Sequence, residues 1–270
     1  MTEHSASDAP RAEIGVIGGS GFYTFFDDDN GATFVEVETP YGRPSGAVTI
    51  GDVEGRRVAF LPRHGASHEH SPHTIPYRAN VWALRMLGVR RIFAPSAVGS
   101  LTPALGPGAV VIPDQLVDRT SGRPQTYFDS GGVHVQFADP YCPELRKAAL
   151  RPDATDGGVL VVVEGPRFST RAESRWFADQ GWSVVNMTGH PEAVLARELE
   201  LCYAAIGLVT DLDAGIETGD GVRAVDVFAE FERNLAPFKE FVRSAVGAAP
   251  VGRCPCCRVH DGVTLPIELP

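Results

Sequence analysis

The chain has 270 residues, 43% of them hydrophobic and 21% charged, enough for one large α/β domain with a well-buried core. Its net charge of -10 argues against a nucleic-acid partner, because the field of the whole molecule would repel a phosphate backbone. No apolar run approaches the roughly 20 residues of a membrane-spanning helix, and the opening MTEHSASDAPRAE lacks the plan of a signal peptide, so a cytoplasmic protein with no membrane partner is expected.

Residues 1–12 read as a disordered tail, residues 13–247 as one domain, and residues 248–270 as a cysteine-containing C-terminal tail. The apolar runs are mostly continuous, as strands covered on both faces are. Ile14–Ile17 comes first and ends in Gly18-Gly19-Ser20-Gly21. Val58–Leu61 ends in Pro62-Arg63-His64-Gly65, and a helical pattern over Pro76–Leu87 follows. Arg91–Ala94 runs into Pro95-Ser96-Ala97-Val98-Gly99-Ser100. The stretch from Val110 to Pro140 holds one short apolar run, Val110–Ile112, and is otherwise rich in turns, which predicts irregular loops and an antiparallel excursion. Val159–Val163 ends in Glu164-Gly165-Pro166-Arg167-Phe168, ahead of a helix over Phe168–Asp179. Ser183–Val185 leads to Asn186-Met187-Thr188 and a helix over Pro191–Leu201. Ala204–Val209 ends in Thr210-Asp211-Leu212-Asp213, and a last helix spans Val222–Val246.

Strands alternating with helices predict a mostly parallel or mixed twisted sheet with helices on both faces. In such sheets ligands bind outside the carboxyl ends of the strands, and here the polar residues fall repeatedly at those ends. The Gly18–Gly21 turn can bring backbone N–H groups close to an anion, with Ser20 adding a hydroxyl. By itself the turn also fits an ordinary tight turn or a dinucleotide fingerprint. Arg63 and His64 are read as the cationic part of an anion site, and Thr188 as a further donor. Asp211 and Asp213, two apart on an extended strand, would point to one side roughly 7 Å apart and could serve as acid and hydrogen-bond partner. A metal site or a helix cap are the other readings of that pair. No further ligand set on the same rim supports a metal.

Cys142 and Cys202 stand alone in structured stretches and read as small buried hydrophobes. Cys254, Cys256 and Cys257 could bind zinc with His260 or form a strained redox pair; a flexible tail with free thiols is the plainer expectation.

The motifs GVIGGSGFY, LPRHGASH, PYRANVWAL, SAVGSL, EGPRFSTRAES, NMTGHPEAVLARE and LCYAAIGLVTDLDAG, in this order, resemble the methylthioadenosine phosphorylase branch of the trimeric purine nucleoside phosphorylases over residues 13 to 245. The resemblance implies a single α/β domain around a mixed twisted sheet with a distorted barrel flanked by helices. It also implies a homotrimer, a pentosyltransferase reaction, inorganic phosphate as co-substrate, and no cofactor or metal. Ser20, Arg63, His64, Ser96, Ala97 and Thr188 would form the phosphate set. Phe168 would stack on the purine beside Ser169, with Asn186 and Met187 under the ribose. Asp211 would be the acid at purine N7, and Asp213 would help hold a 6-amino group. His134 resembles the residue that a neighbouring subunit lends to the 5′ end, and Val225 and Phe228 would form an apolar wall around a methylthio group. The activity implied is phosphorolysis of S-methyl-5′-thioadenosine. Gly189-His190 after Thr188 resembles a branch preferring methylthioinosine, so 6-oxopurine nucleosides are the alternative substrates. The rival classes are an NAD(P)-dependent oxidoreductase, which would need an acidic ribose anchor where Arg63-His64 stands, and a non-catalytic nucleoside-binding protein.

Overall fold

A computed structural model describes residues 11–19, 21–22, 25–26, 31–216, 221–252 and 254–270. Eleven strands and five α-helices are found among them, in the order β1 (Ile14–Gly18), β2 (Thr33–Val35), β3 (Val48–Val53), β4 (Arg56–Pro62), α1 (Tyr77–Met86), β5 (Arg91–Ser100), β6 (Val110–Ile112), β7 (Gln115–Arg119), α2 (Pro143–Ala149), β8 (Ala154–Asp156), β9 (Val159–Val163), α3 (Arg171–Asp179), β10 (Val184–Asn186), α4 (Gly189–Glu198), β11 (Cys202–Leu212) and α5 (Ala224–Gly247). A 3-10 turn, Pro255–Arg258, follows.

The strands join in one mixed sheet, ordered β2-β3-β4-β1-β5-β10-β9-β7, with β11 on the other edge of β5 and β6 and β8 beyond it. β1 lies parallel between β4 and β5. β5 is long enough to pair with β1 over its first residues and antiparallel with β10 over its last. Its other edge is held along its whole length by β11. The sheet therefore bends around β5 and β11, and the ends of β1, β4, β9, β10 and β11 come to one side.

Both faces of the sheet are covered, which is why its strands read as unbroken apolar runs. One core gathers Val81, Leu84, Ile92, Leu195 and Tyr203 under α1 and α4. The other gathers Ile14, Phe60, Leu145, Ile206, Phe238 and Val242 under α2 and α5. This is the single mixed α/β domain predicted, with corrections at its edges. β3 and β4 form a hairpin whose turn residues Glu54 and Gly55 both have positive φ. α3 begins at Arg171, three residues later than its periodicity indicates. Thr170 caps it, accepting from the Glu173 N–H while the Glu173 side chain accepts from the Thr170 N–H. The C-terminal segment is packed where it is described, not a loose tail: Cys254, Cys256 and His260 are buried against the domain. No helix among the described residues is long and apolar enough to cross a membrane.

Candidate active site

A cavity of about 330 Å³ opens at the carboxyl ends of the strands. That volume suits one drug-sized molecule. Each strand end contributes to its wall: Gly19 after β1, Arg63 and His64 after β4, Ser96 to Gly99 on β5, Phe168 and Ser169 beyond β9, Asn186 to Thr188 at β10, and Thr210, Asp211 and Asp213 at β11. Ser20 lies outside the described residues.

The anion end differs from the expected pair of cations. Arg63 is 2% exposed and lies in a bidentate pair with Glu192, Nε to Oε1 at 2.5 Å and Nη2 to Oε2 at 3.1 Å. Its Nη2 also donates to the Ile17 carbonyl and its Nη1 to the Pro95 carbonyl. Four of its five N–H groups are thus committed among the described residues, and one on Nη1 remains. Nη1 stands 3.5 Å from where a side chain on Gly19 would begin, so a glycine there keeps the approach open. Burial lowers the His64 pKa to about 4, and its Nδ1–H donates to the His70 carbonyl at 2.8 Å. His64 is therefore neutral, with its Nε2 lone pair left as an acceptor. Positive potential at this end comes from one buried, partly neutralised Arg together with neutral donors.

Glu192 is fully buried and also accepts from the Tyr203 hydroxyl at 2.9 Å. Removing such a partner leaves an uncompensated buried charge, at a cost of about 3–5 kcal/mol. Arg123, which sequence reasoning missed, is a second buried clamp. It donates to the carbonyls of Met187, His190 and Glu164 and to the Glu164 carboxylate, tying the loops after β9 and β10 together. The apparent loop composition around it hid its role.

Asn186 binds inward. Its Nδ2 donates to Ser96 Oγ at 3.1 Å, and its Oδ1 accepts from the N–H groups of Thr188 and Gly189. It fixes the end of β10 against β5 and so sets where Met187 and Thr188 enter the cavity. Gly189 packs beneath this turn, where an added Cβ would meet Leu160 at 3.0 Å. Neither Gly189 nor His190 lines the cavity, so neither meets a ligand there directly.

At the far end, β11 carries a β-bulge between Val209 and Asp211. The surplus residue, Thr210, donates its hydroxyl to Asp211 Oδ2 at 2.8 Å, and Asp211 opposes Gly99 on β5. A side chain at Gly99 would come within 3.1 Å of Asp211 Oδ1. Burial pushes the Asp211 carboxyl up to about 6; the Thr210 hydroxyl holds it back, and the charge of Asp213 adds to the rise. Burial also raises Asp213, against hydrogen bonds from the Ser169 and Ser174 hydroxyls. One Asp213 oxygen, Oδ2, is buried with no partner among the described residues. Asp211 and Asp213 both line the cavity, Asp213 from just beyond the end of β11.

The remaining wall comes from α5. Ala224, Val227, Phe228 and Phe231 line the cavity at helical spacing, and His68 and Pro72 approach from the loop after β4. Val225 is 58% exposed and outside the cavity, which corrects the expected register: α5 starts at Ala224, so Val227 rather than Val225 accompanies Phe228. His134 is exposed and does not reach the cavity of its own chain.

This arrangement has counterparts. The family model described as "Phosphorylase superfamily" matches residues 13–246. S-methyl-5′-thioadenosine phosphorylase of Mycolicibacterium smegmatis is 71% identical, over 95% of this chain and 99% of its own. Purine nucleoside phosphorylase of Streptomyces coelicolor is 55% identical, over 96% of this chain and 98% of its own. Among solved structures, methylthioadenosine phosphorylase from Schistosoma mansoni in complex with adenine superposes with a TM-score of 0.80 at 35% identity, covering 87% of this chain and 91% of that one. With that family model matching residues 13–246 and these relatives matched over almost their whole length, this chain belongs to the phosphorylase superfamily.

Proposed function

We propose that the protein catalyses phosphorolysis of S-methyl-5′-thioadenosine, giving adenine and 5-methylthioribose 1-phosphate. The observation that carries this reading is the carboxyl pair at the end of β11: Asp211, raised to about 6, beside Asp213, one of whose oxygens has no partner among the described residues. An acid held near neutrality can protonate, or strongly hydrogen-bond, the N7 of a departing purine. The free Asp213 oxygen accepts from a 6-amino group, whereas a 6-oxo group would bring acceptor against acceptor. That favours 6-aminopurines over the methylthioinosine and inosine alternative, although one relative carries the name purine nucleoside phosphorylase.

Phosphate is substrate here, and the reaction needs no further group. As the bond from C1′ to N9 lengthens, negative charge gathers on the base and positive charge on the ribose ring. Asp211 meets the first, and a phosphate held by Arg63, Ser96, the Ala97 backbone and Thr188 meets the second before its oxygen bonds to C1′. Neutral His64 accepts a hydrogen bond at Nε2 from the hydroxyl of a monohydrogen phosphate, which orients the anion. Phe168 stacks on the base and Met187 packs under the ribose. Val227, Phe228 and Phe231 give the 5′ end an apolar wall suited to a methylthio group. The family pattern supports a cytoplasmic homotrimer, in which His134, remote from its own cavity, serves a neighbour's.

The test is a panel of methylthioadenosine, methylthioinosine, adenosine and inosine, each with and without phosphate. Phosphate-dependent release of adenine from methylthioadenosine, fastest of the four, is expected. Release without phosphate would mean a hydrolase and overturn the reading.

A further inference from the structure

Cysteines distant in sequence meet at the opposite end of β11 from Asp211. Cys202 opens that strand, and Cys142 immediately precedes α2, its N–H donating to the Tyr203 carbonyl at 2.9 Å. Cys254 and Cys256 arrive on the 3-10 turn that follows α5. The sulfurs of Cys142, Cys202, Cys254 and Cys256 all lie within 4.8 Å of one another, and all four residues are buried. Cys142 and Cys254 are 3.8 Å apart and Cys202 and Cys254 2.7 Å. Cys257 stands at the margin, half-buried, 3.9 Å from Cys254. The two cysteines that read as isolated hydrophobes and the tail thiols are one cluster.

Four thiols have little reason to converge as thiols. Each is a weak donor and a weak acceptor, and the apolar neighbours of this core, Leu145 and Ile206 among them, would pack as well against one another. Sulfurs arranged tetrahedrally about zinc, at about 2.3 Å from it, stand about 3.8 Å apart, which is the scale of this cluster. The ligands come from three separate stretches of chain, as in closed structural sites. A zinc ion with four thiolates carries two negative charges, and Arg91, 2% exposed, is paired in register with Cys202. Its guanidinium reaches Glu13 and the Gly252 carbonyl, while its Nε lacks a partner among the described residues. His260 does not join the set as its proximity in sequence suggests. Its Nε2 is held by the Glu198 carbonyl at 2.7 Å.

We propose that Cys142, Cys202, Cys254 and Cys256 bind one zinc ion as a tetrathiolate that fastens the C-terminal segment to β11 and α2. On binding, each thiol releases its proton and four Zn–S bonds form, with no change of oxidation state. The site lies roughly 30 Å along β11 from Asp211, at about 3.3 Å per residue, so it acts on stability and leaves phosphorolysis alone.

Metal analysis of the full-length protein, purified with reductant from zinc-supplemented medium, should find about one zinc per chain. Cys254→Ser and Cys256→Ser should lose it and melt several degrees lower, while Cys257→Ser keeps it. Independently of folding yield, cobalt(II) loaded into the zinc-stripped wild-type protein should give thiolate-to-metal charge transfer and the visible bands of a tetrahedral site, both absent in Cys256→Ser. Zinc-free protein without a cobalt spectrum would overturn the proposal. So would mass-spectrometric detection of a disulfide among these cysteines in protein isolated without reductant.

Discussion

At Asp211 the fold spends stability to keep a carboxyl buried and protonated. Its folded pKa of about 6 stands above the 3.8 of an ordinary carboxyl, so between those values the folded state holds the extra proton. Stability therefore falls as pH rises through that window and stays at the lower level above it, a cost of at most about 3 kcal/mol. Asp211→Asn removes the charge and keeps an acceptor for Thr210. It should raise the melting temperature at neutral pH and leave it unchanged near pH 4, while lowering kcat on methylthioadenosine by on the order of 10²–10⁴-fold. Thermal melts at the two pH values and initial rates check both halves. A loss of activity with no gain in stability would show that burial does not set this carboxyl. Arg63 shows the limit of reading a residue by its type. Sequence marks it as an anion-binding fork, but the structure commits that fork to Glu192 and two carbonyls, leaving one N–H without a partner among the described residues. Ionisation state and partner are properties of burial, which no single residue announces.

Whole elements were legible to the degree that their patterns were long. β1, β9 and β11 stand out as apolar runs because both faces are covered, and the polar residues at their ends mark the rim of the cavity. β2, with three residues, and α2, with seven, are too short to display a period, so they emerge only in the fold. β3 escaped for another reason: its hairpin turns on Glu54-Gly55, a weaker signal than Asn-Gly or Asp-Gly. Where α5 starts decides which of its side chains meet the cavity, and boundaries are what periodicity fixes least. With the start at Ala224, Phe228 faces the cavity beside Val227 and Phe231. Phe228→Ala should raise KM for methylthioadenosine by on the order of tenfold and change KM for adenosine little, since a hydrophobic pocket discriminates by about that much per lost apolar contact. Comparing the two substrates is the measurement; equal losses on both would mean that Phe228 only supports the helix.

For the molecule as a whole, the two ends of β11 divide the work: thiols and the C-terminal segment at one, the reacting cavity at the other. The cavity wall is not completed by His134 of the same chain, which is exposed. If subunits complete one another, sedimentation should give about three times the 28.9 kDa chain mass. Mixing Asp211→Asn with His134→Ala, refolded together, should then restore more activity on methylthioadenosine than either variant shows alone. A monomer in sedimentation, or no recovery on mixing, would remove His134 from the site.

The bulge at Thr210 has a consequence that reaches beyond its own hydrogen bond. Leu208 and Asp211 are three residues apart, an odd interval, yet they oppose Ala97 and Gly99, which are two apart and share a side of the sheet. Parity along the strand is reversed at that point: the apolar rhythm that packs β11 into the core stops governing the residues beyond it. Chemistry could thus be placed at the strand tip without rewriting the core pattern behind it. A single residue of surplus length, more than any property of aspartate, sets Asp211 opposite Gly99 at the wall of the cavity.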